Sequence, residues 1–513
     1  MAAQTIPAPN GKPFADAEPL TDANKPDLLL PMNKMDTCIY RDRFVLQFNF
    51  IIPSRLSPVK LRQGLDRLLS HPKWRKLGAR ILIRDPKNPE HIKAGGPPTA
   101  RFILSVPPSY SAKRPGYKFT EVDETGVKLE DAGLTLPRKT AKVEMQSTTE
   151  HGKYFVDKDS PKTHAKLTEK GTDHPILSIH MTRYQDATLL GILIPHSFSD
   201  AAGSGATIHA IAAACRGEDP PELVGFDKDP FAELGPDEGR PISDYRGYKK
   251  WGKNYRKLIV RFIKEKIKYK EATRLIYVPG PKIKKLREDC LKELKEEGRQ
   301  DAKFLSESDV VLAWIAKAYA EVTWGASPSS KTSQEFLLMM RMSGHHRVPS
   351  LIPHTIEGKP AVYIHNITYG NQVTSPLFTL PHLSIAQYAA RIRFSVNQMS
   401  TPSQALKSLS FQWKRTLDNE HEAASEPGVY GFLACSNWLT ANVGSVDWSG
   451  AKEDGDEGSA IPVVVDANMN GDFEFIRKHM LSFVSQDQDG GMWLFLGMRE
   501  KDVKPLADVL GRL

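Results

Sequence analysis

The stretch from Ala187 to Gly217, ATLLGILIPHSFSDAAGSGATIHAIAAACRG, constrains this chain more than any other. It begins with an apolar run that closes at Pro195. Proline has no N–H to give a sheet and sits at strand ends and edges, so the run reads as a buried strand that stops there. Asp200 stands where a helix N-cap is wanted, small residues follow at helical spacing, and Gly217 stands where a helix ends. The reading is strand, corner and helix, with His196 and Asp200 four residues apart at the corner. A histidine held at such a junction can project its ring into a cavity while the scaffold stays rigid. The spacing alone says little. With fifteen histidines in the chain, about one His-x-x-x-Asp match is expected by chance, and one is found.

At 513 residues the chain exceeds what one hydrophobic core serves, and two domains of about 200 to 250 residues are expected. The reading is a flexible lead over 1–25, a first domain over 26–244, a crossover over 245–275 and a second domain over 276–513. No apolar run approaches the ~18 residues of a membrane span, and the first residues, MAAQTIPAPNGKPF, lack an apolar signal core. Cys38, Cys215, Cys290 and Cys435 lie far apart with no Cys-x-x-Cys pair. That spacing fits packed thiols in a reducing, cytoplasmic compartment and argues against a zinc site. The terminal Gly511-Arg512-Leu513 is a poor match to a peroxisomal Ser-Lys-Leu tail. A net charge of +9 fits a polyanionic partner, a small cofactor with several phosphates, or a lysine-rich solvated surface.

Along the chain, Asp27 to Asp36 is the expected first ordered segment and Arg43 to Ile52 a strand. Leu56 to Leu69 shows apolar residues at helical spacing, with Pro58 in the first turn. Ala100 to Val106 and Tyr117 to Val122 read as short strands, and 123–174 as surface loop with short elements. PILSIHMTRY and ATLLGILIPH read as a hairpin feeding His196. Glu218 to Ser243 reads as a connection across the molecule. Tyr245 to Glu271 is the most basic segment; its interleaved aromatics fit a nucleic-acid surface, whereas Leu258, Ile259, Phe262 and Ile267 space as the buried stripe of one amphipathic helix. Pro281 to Glu297 reads as a surface helix. Ser306 to Ala320 reads as a helix with Ser306 as N-cap and Asp309 as a capping-box-like acid. Glu335 to Met342 reads as a strand carrying Arg341, and Ala361 to Tyr369 as one carrying Asn366. Ser384 to Phe394 and Ser403 to Leu417 read as helices. Between Ile461 and Leu496 at least two strands are expected, separated by a helix at Phe473 to Met480.

The serial order of these segments resembles the BAHD acyltransferases, plant and fungal enzymes that move acyl groups from coenzyme A thioesters to alcohols or amines. MTRYQDATLLGILIPHSFSDAAG resembles the family's hairpin into His-x-x-x-Asp-Gly, and FLSESDVVLAWIAKA the helix that begins the second half. MMRMS resembles the segment supplying an arginine, YIHN the family's Tyr-Phe-Gly-Asn, and VDWSGA a degenerate Asp-Phe-Gly-Trp-Gly. Two departures stand out. Ala201 replaces the glycine after the motif aspartate, and VDWSGA keeps Asp447 and Gly450 without the regular Gly-Trp-Gly.

The resemblance implies an α/β fold of two similar chloramphenicol-acetyltransferase-like domains, each a mixed sheet flanked by helices, with an active-site tunnel at their interface. It implies His196 as general base in transfer of an acyl group, acetyl on family grounds, from acyl-CoA to a hydroxyl or amine of a small secondary metabolite. Asp200 is then structural, paired with an arginine, Arg341. Trp448 or amides around Ser449 and Gly450 could donate to the oxyanion, or Asp447 and Trp448 could hold the loop from outside the tunnel. Lys282, Lys284, Lys285, Ser306 and Ser308 are candidates for the coenzyme A phosphates. No metal, no permanently bound cofactor, no nucleic-acid partner and no membrane span are expected, and the state expected is a monomer. The competing reading is a catalytically silent member that binds a small molecule or a protein.

Overall fold

A computed structural model of the chain describes residues 25–38, 44–97, 99–147, 151–226, 228–236, 239, 241, 248–249, 253–299, 303–418, 420–421, 429–471 and 478–512. The elements that position the site are, in chain order, β1 (Phe44–Ile52), α1 (Pro58–Ser70), β2 (Lys118–Glu124), β3 (Glu144–Ser147), β4 (Ser178–Tyr184), β5 (Thr188–Pro195) and α2 (Ala201–Cys215). They continue with α3 (Lys253–Lys268), β6 (Glu271–Val278), α4 (Gly280–Glu296), α5 (Glu307–Trp324), β7 (Glu335–Ser343), β8 (Thr368–Pro376), α6 (Ile385–Met399) and α7 (Pro402–Leu417). The last are β9 (Val429–Asn437), β10 (Val464–Gly471), β11 (Met480–Gln486), β12 (Met492–Arg499) and α8 (Val503–Leu510).

One sheet has five strands in the order β10-β1-β5-β4-β2, and the other has seven in the order β8-β7-β9-β11-β12-β6-β3. Both are mixed: β2 runs parallel to β4, and β9 parallel to β7 and β11, while the remaining neighbours are antiparallel. Each sheet takes one strand from the other half of the chain. β10 pairs with β1 along its whole length, and β3, from the polar stretch read as loop, pairs with β6.

β1 and β5 are buried at every position, which explains apolar runs in place of a clean alternation. Leu61, Leu65 and Leu68 of α1 and Ile208 and Ile211 of α2 pack with Phe48, Phe50, Ile192 and Ile194 of the first sheet. Ile283, Val310, Ile315, Tyr388, Ile392 and Leu506, from α4, α5, α6 and α8, pack with Leu338, Leu433 and Leu494 of the second. Helix starts follow local chemistry. Ser57 and Pro58 open α1, and Ser306 with Asp309 closes a reciprocal capping box on α5, which satisfies two otherwise orphaned N–H groups.

Two expectations are altered. Ala361 to Tyr369 is not one strand: a short strand, Lys359–Tyr363, ends before β8, and the four residues between leave the ladder to touch the His196 corner. On α3, Ile267 is 81% exposed, and the body is met by Arg261 and Glu265; the side chains of Leu258, Ile259 and Phe262 lie outside the described residues. Between 461 and 496, where at least two strands are expected, there are three, β10, β11 and the start of β12, and the expected helix at Phe473 to Met480 falls largely on residues outside those described. The lead over 1–24 also lies outside them.

Candidate active site

The corner begins where Pro195 ends the side-by-side pairing of β5 with β1. One further bond, from His196 N–H to the Phe44 carbonyl at 2.8 Å, fixes the histidine's backbone. Phe198 and Ser199 N–H then donate back to the Pro195 carbonyl and close a tight turn. Ser197, Phe198, Ser199 and Asp200 are buried, whereas His196 is half-buried. The turn thus leaves the His196 ring half-buried and packs its neighbours inward.

Asp200 caps α2 by accepting from Gly203 N–H at 3.0 Å. It also accepts from Ile367 N–H at 2.8 Å, and its two oxygens lie 3.0 and 3.2 Å from His345 Nε2. Its expected partner is therefore corrected from Arg341 to His345. The reason is the turn after β7: Arg341 lies within the strand, while Gly344 N–H bonds to the Ile367 carbonyl and swings His345 under the α2 N-terminus. Burial by itself would raise the Asp200 pKa. The His345 imidazole and the two amides outweigh it and hold the carboxyl well below the usual carboxylate range. With these partners on both oxygens, Asp200 is a cap and a clamp and is poorly placed to act as a base.

The second half reaches the corner through Ile364–Ile367. Asn366 Nδ2 donates to the His196 carbonyl at 2.8 Å and to Asp36 Oδ1 at 2.8 Å, and Asn366 N–H donates to the same oxygen at 2.9 Å. His365, at the position where the resembled motif has glycine, places Nδ1 2.9 Å from Asp36 Oδ2 and 3.1 Å from the Phe198 carbonyl. Its ring meets Phe198 edge-on at 4.8 Å. Burial, with the nearby Lys76 ammonium, lowers its pKa against the pull of Asp36. The neutral ring so favoured carries its proton on Nδ1 and donates from there. Asp36 sits on a one-turn 3-10 helix, Lys34–Thr37, and the sequence reading missed it. The only signal was an acid closing the short segment DLLLPMNKMD.

Small residues after Asp200 now have a use. A Cβ on Gly203 would lie 2.2 Å from the Ile364 carbonyl oxygen, and one on Gly205 2.6 Å from Ala441 Cβ. Only glycine lets the Ile364 backbone pass this close to α2.

The remaining expected site residues separate. A Cβ on Gly450 would lie 2.3 Å from Cys215 C and Arg216 N, so the VDWSGA loop sits at the far end of α2. At 1.5 Å per residue that is about 20 Å from the corner. Trp448 is fully buried against Phe50, its N–H donates to Ala460, and Ser449 N–H donates to its neighbour Asp447. The Asp447 carbonyl accepts from Arg216 at 2.6 Å. Trp448 and Gly450 are thus too far away for the oxyanion role, and the Trp448 and Ser449 amides are occupied; of the two expected roles the geometry fits the second, holding the loop against α2.

Ser306, Ser308 and Arg341 come together. With Asp309, Arg347 and Arg393 they line a cavity of about 250 Å³ at the N-terminus of α5. Arg393 spans Asp309 and Ser306 at 2.7 Å each. Lys282, Lys284 and Lys285 do not line it; Lys284 and Lys285 lie on the exposed face of α4, and Lys285 pairs with Asp289.

No protein-family model matches the chain. Over 491 residues it is 26% identical to the transcriptional regulator calD of Penicillium decumbens, covering 91% of this chain and 92% of that protein. It is 26% identical over 509 residues to the acetyltransferase adrJ of Penicillium roqueforti, covering 94% and 95%. It is 27% identical over 419 residues to the O-acyltransferase pboC of Aspergillus ustus, covering 79% and 81%. Among solved structures, F. graminearum TRI101 complexed with coenzyme A and T-2 mycotoxin superposes with a TM-score of 0.63 at 13% identity, covering 93% and 96%. Vinorine synthase superposes with a TM-score of 0.55 at 14% identity, covering 98% and 95%. At such identities the structural likeness speaks for the fold.

Proposed function

We propose that the chain is a fungal-type member of the BAHD acyltransferases that transfers an acyl group, acetyl, from acyl-CoA to a small secondary metabolite with His196 as general base; the likeness to an acetyltransferase and an O-acyltransferase and the shared fold with TRI101 and vinorine synthase support it. The observation that carries this reading is the half-buried ring of His196, whose peptide is pinned on one side by Phe44 and on the other by Asn366. The imidazole takes the proton from an acceptor O–H or N–H as that atom attacks the thioester carbonyl. The C–S bond then breaks, and the thiolate of coenzyme A leaves with the proton returned by the imidazolium. Such proton transfer is worth ~10² to 10⁴ in rate.

The anionic end of acyl-CoA is assigned to the cavity at the α5 N-terminus. Ser306 and Ser308 offer hydroxyls, Arg341 and Arg347 offer planar donors, and the helix terminus adds its positive end. The exposed lysines of α4 contribute at most a diffuse field. A second reading, a silent binding member, has one observation in its favour: the relative calD carries a regulator's name.

The test is release of free thiol from acetyl-CoA and longer acyl-CoAs across a panel of alcohols and amines. The expected result is acceptor-dependent release that His196→Ala lowers by ~10² to 10⁴ with unchanged circular dichroism. Near-normal turnover by that variant with a verified substrate pair refutes the base assignment. Absence of release with every pair favours the silent reading.

A further inference from the structure

The crossover helix α3 carries an exposed apolar stripe among its described residues. Its described inward contacts are made by polar side chains: Arg261 donates to the Val429 and Tyr430 carbonyls at 3.2 and 2.7 Å, and Glu265 receives Arg499. Lys478 closes the C-terminal end on the Glu265 and Tyr269 carbonyls at 3.3 and 2.6 Å. Facing outward instead are Val260, Ile263 and Ile267, which are 50%, 46% and 81% exposed. At positions i, i+3 and i+7 they form one stripe along a single helix face. Exposed Arg256, Lys264, Lys266 and Lys268 flank it. Between 253 and 270 the sequence holds eight lysines and arginines against one acid, Glu265, and that acid is turned inward.

We propose that α3 is a docking surface for an anionic lipid bilayer, on which the protein rests peripherally. Three large aliphatic side chains gain nothing from nucleic acid, whose backbone would use the lysines alone. A protein groove of the kind that engulfs a basic helix needs the whole circumference, and here the opposite face is bound to the body through Arg261 and Glu265. One apolar stripe in a basic rim, open on one side only, fits a plane with negative headgroups above an apolar interior. Each lysine near such a surface contributes about a fivefold gain in binding, and the aliphatic stripe supplies the part that salt does not screen. The inference does not rest on the acyl-transfer reading, because none of these residues belongs to the His196 corner.

The full-length protein should sediment with vesicles of phosphatidylcholine and phosphatidylserine at 7:3 and stay in solution with phosphatidylcholine alone. The double variant Ile263→Ser/Ile267→Ser should weaken binding tenfold or more with unchanged circular dichroism and thermal midpoint. Lys264→Glu/Lys268→Glu should weaken it at least as much at low salt. The proposal is overturned if the wild type does not sediment, or if the isoleucine variant binds as the wild type does. It is equally overturned if the protein binds a short DNA duplex more tightly than the anionic vesicles.

Discussion

Replacing Asp200 with alanine removes three bonds from a site that is 1% exposed. The N-cap bond to Gly203 is worth about 1 kcal/mol. The Ile367 N–H and the His345 N–H each lose an acceptor inside the protein, and a buried donor left without one costs about 1 to 3 kcal/mol. These losses share one space and water can enter part of it, so the sum is not additive, and the expected loss is about 3 to 5 kcal/mol. Urea unfolding of wild type, Asp200→Ala, His345→Ala and the double variant reads it directly. The cycle should show an Asp200–His345 coupling above about 1 kcal/mol. The pH dependence has a definite sign. The carboxyl is depressed in the folded state, so its contribution is fully present above the unfolded pKa of about 4 and is lost as pH falls further. The gap between wild type and Asp200→Ala should therefore be constant from pH 7 to about 5 and close only below 4. A loss under about 1 kcal/mol, or a gap that closes between pH 6 and 7, refutes the clamp.

Further outcomes follow from the same geometry. Asn366→Ala frees the His196 carbonyl, and since small misplacements of a reacting group cost up to ~10² in rate, kcat should fall about tenfold or more with KM for acyl-CoA nearly unchanged. Arg341→Ala should raise KM for acyl-CoA by about tenfold, the value of one charged hydrogen bond; an unchanged KM removes Arg341 from the coenzyme site. Gly450→Ala sets a Cβ 2.3 Å from the α2 backbone, so the thermal midpoint should drop by the equivalent of about 1 to 3 kcal/mol while kcat per folded molecule holds. Burial pushes the Cys215, Cys290 and Cys435 thiols up to about 12, so these three should resist alkylation at pH 8 in the native state and react on unfolding.

What the sequence could disclose was local. Pro195, Asp200 and the small residues after it specify strand end, cap and close-packed helix within twenty residues, and the Ser306–Asp309 box specifies a helix start within four. The partner of Asp200 was not local. MMRMSGHH contains both an arginine and a histidine, and only the bond from Gly344 to Ile367, made after the chain has folded back, decides which one reaches α2. The break in the segment 361–369 was hidden for a similar reason, because its apolar residues read as one strand until Asp200 and Asp36 claim the Ile367 and Asn366 amides. Residues 144–147 carry no apolar run at all, and β3 forms because an edge of the second sheet is there to pair with.

The corner is assembled from segments that are distant in sequence. Asp36 and Asn366 are 330 residues apart, Asn366 and His196 170 apart, and His345 and Asp200 145 apart. Strand exchange fits this arrangement, since β10 and β3 stitch each half into the other's sheet. A loop tied only to its own sheet could hold His196 by the Phe44 bond alone. Here the histidine's two peptide groups are gripped from opposite halves, one by β1 and one by the Ile364–Ile367 link. The orientation of the ring therefore reports on the docking of the halves. Loosening Asp36 should act on catalysis before it acts on stability: the hairpin and α2 retain their own bonds, while the His196 carbonyl retains only a donor that is itself free to turn.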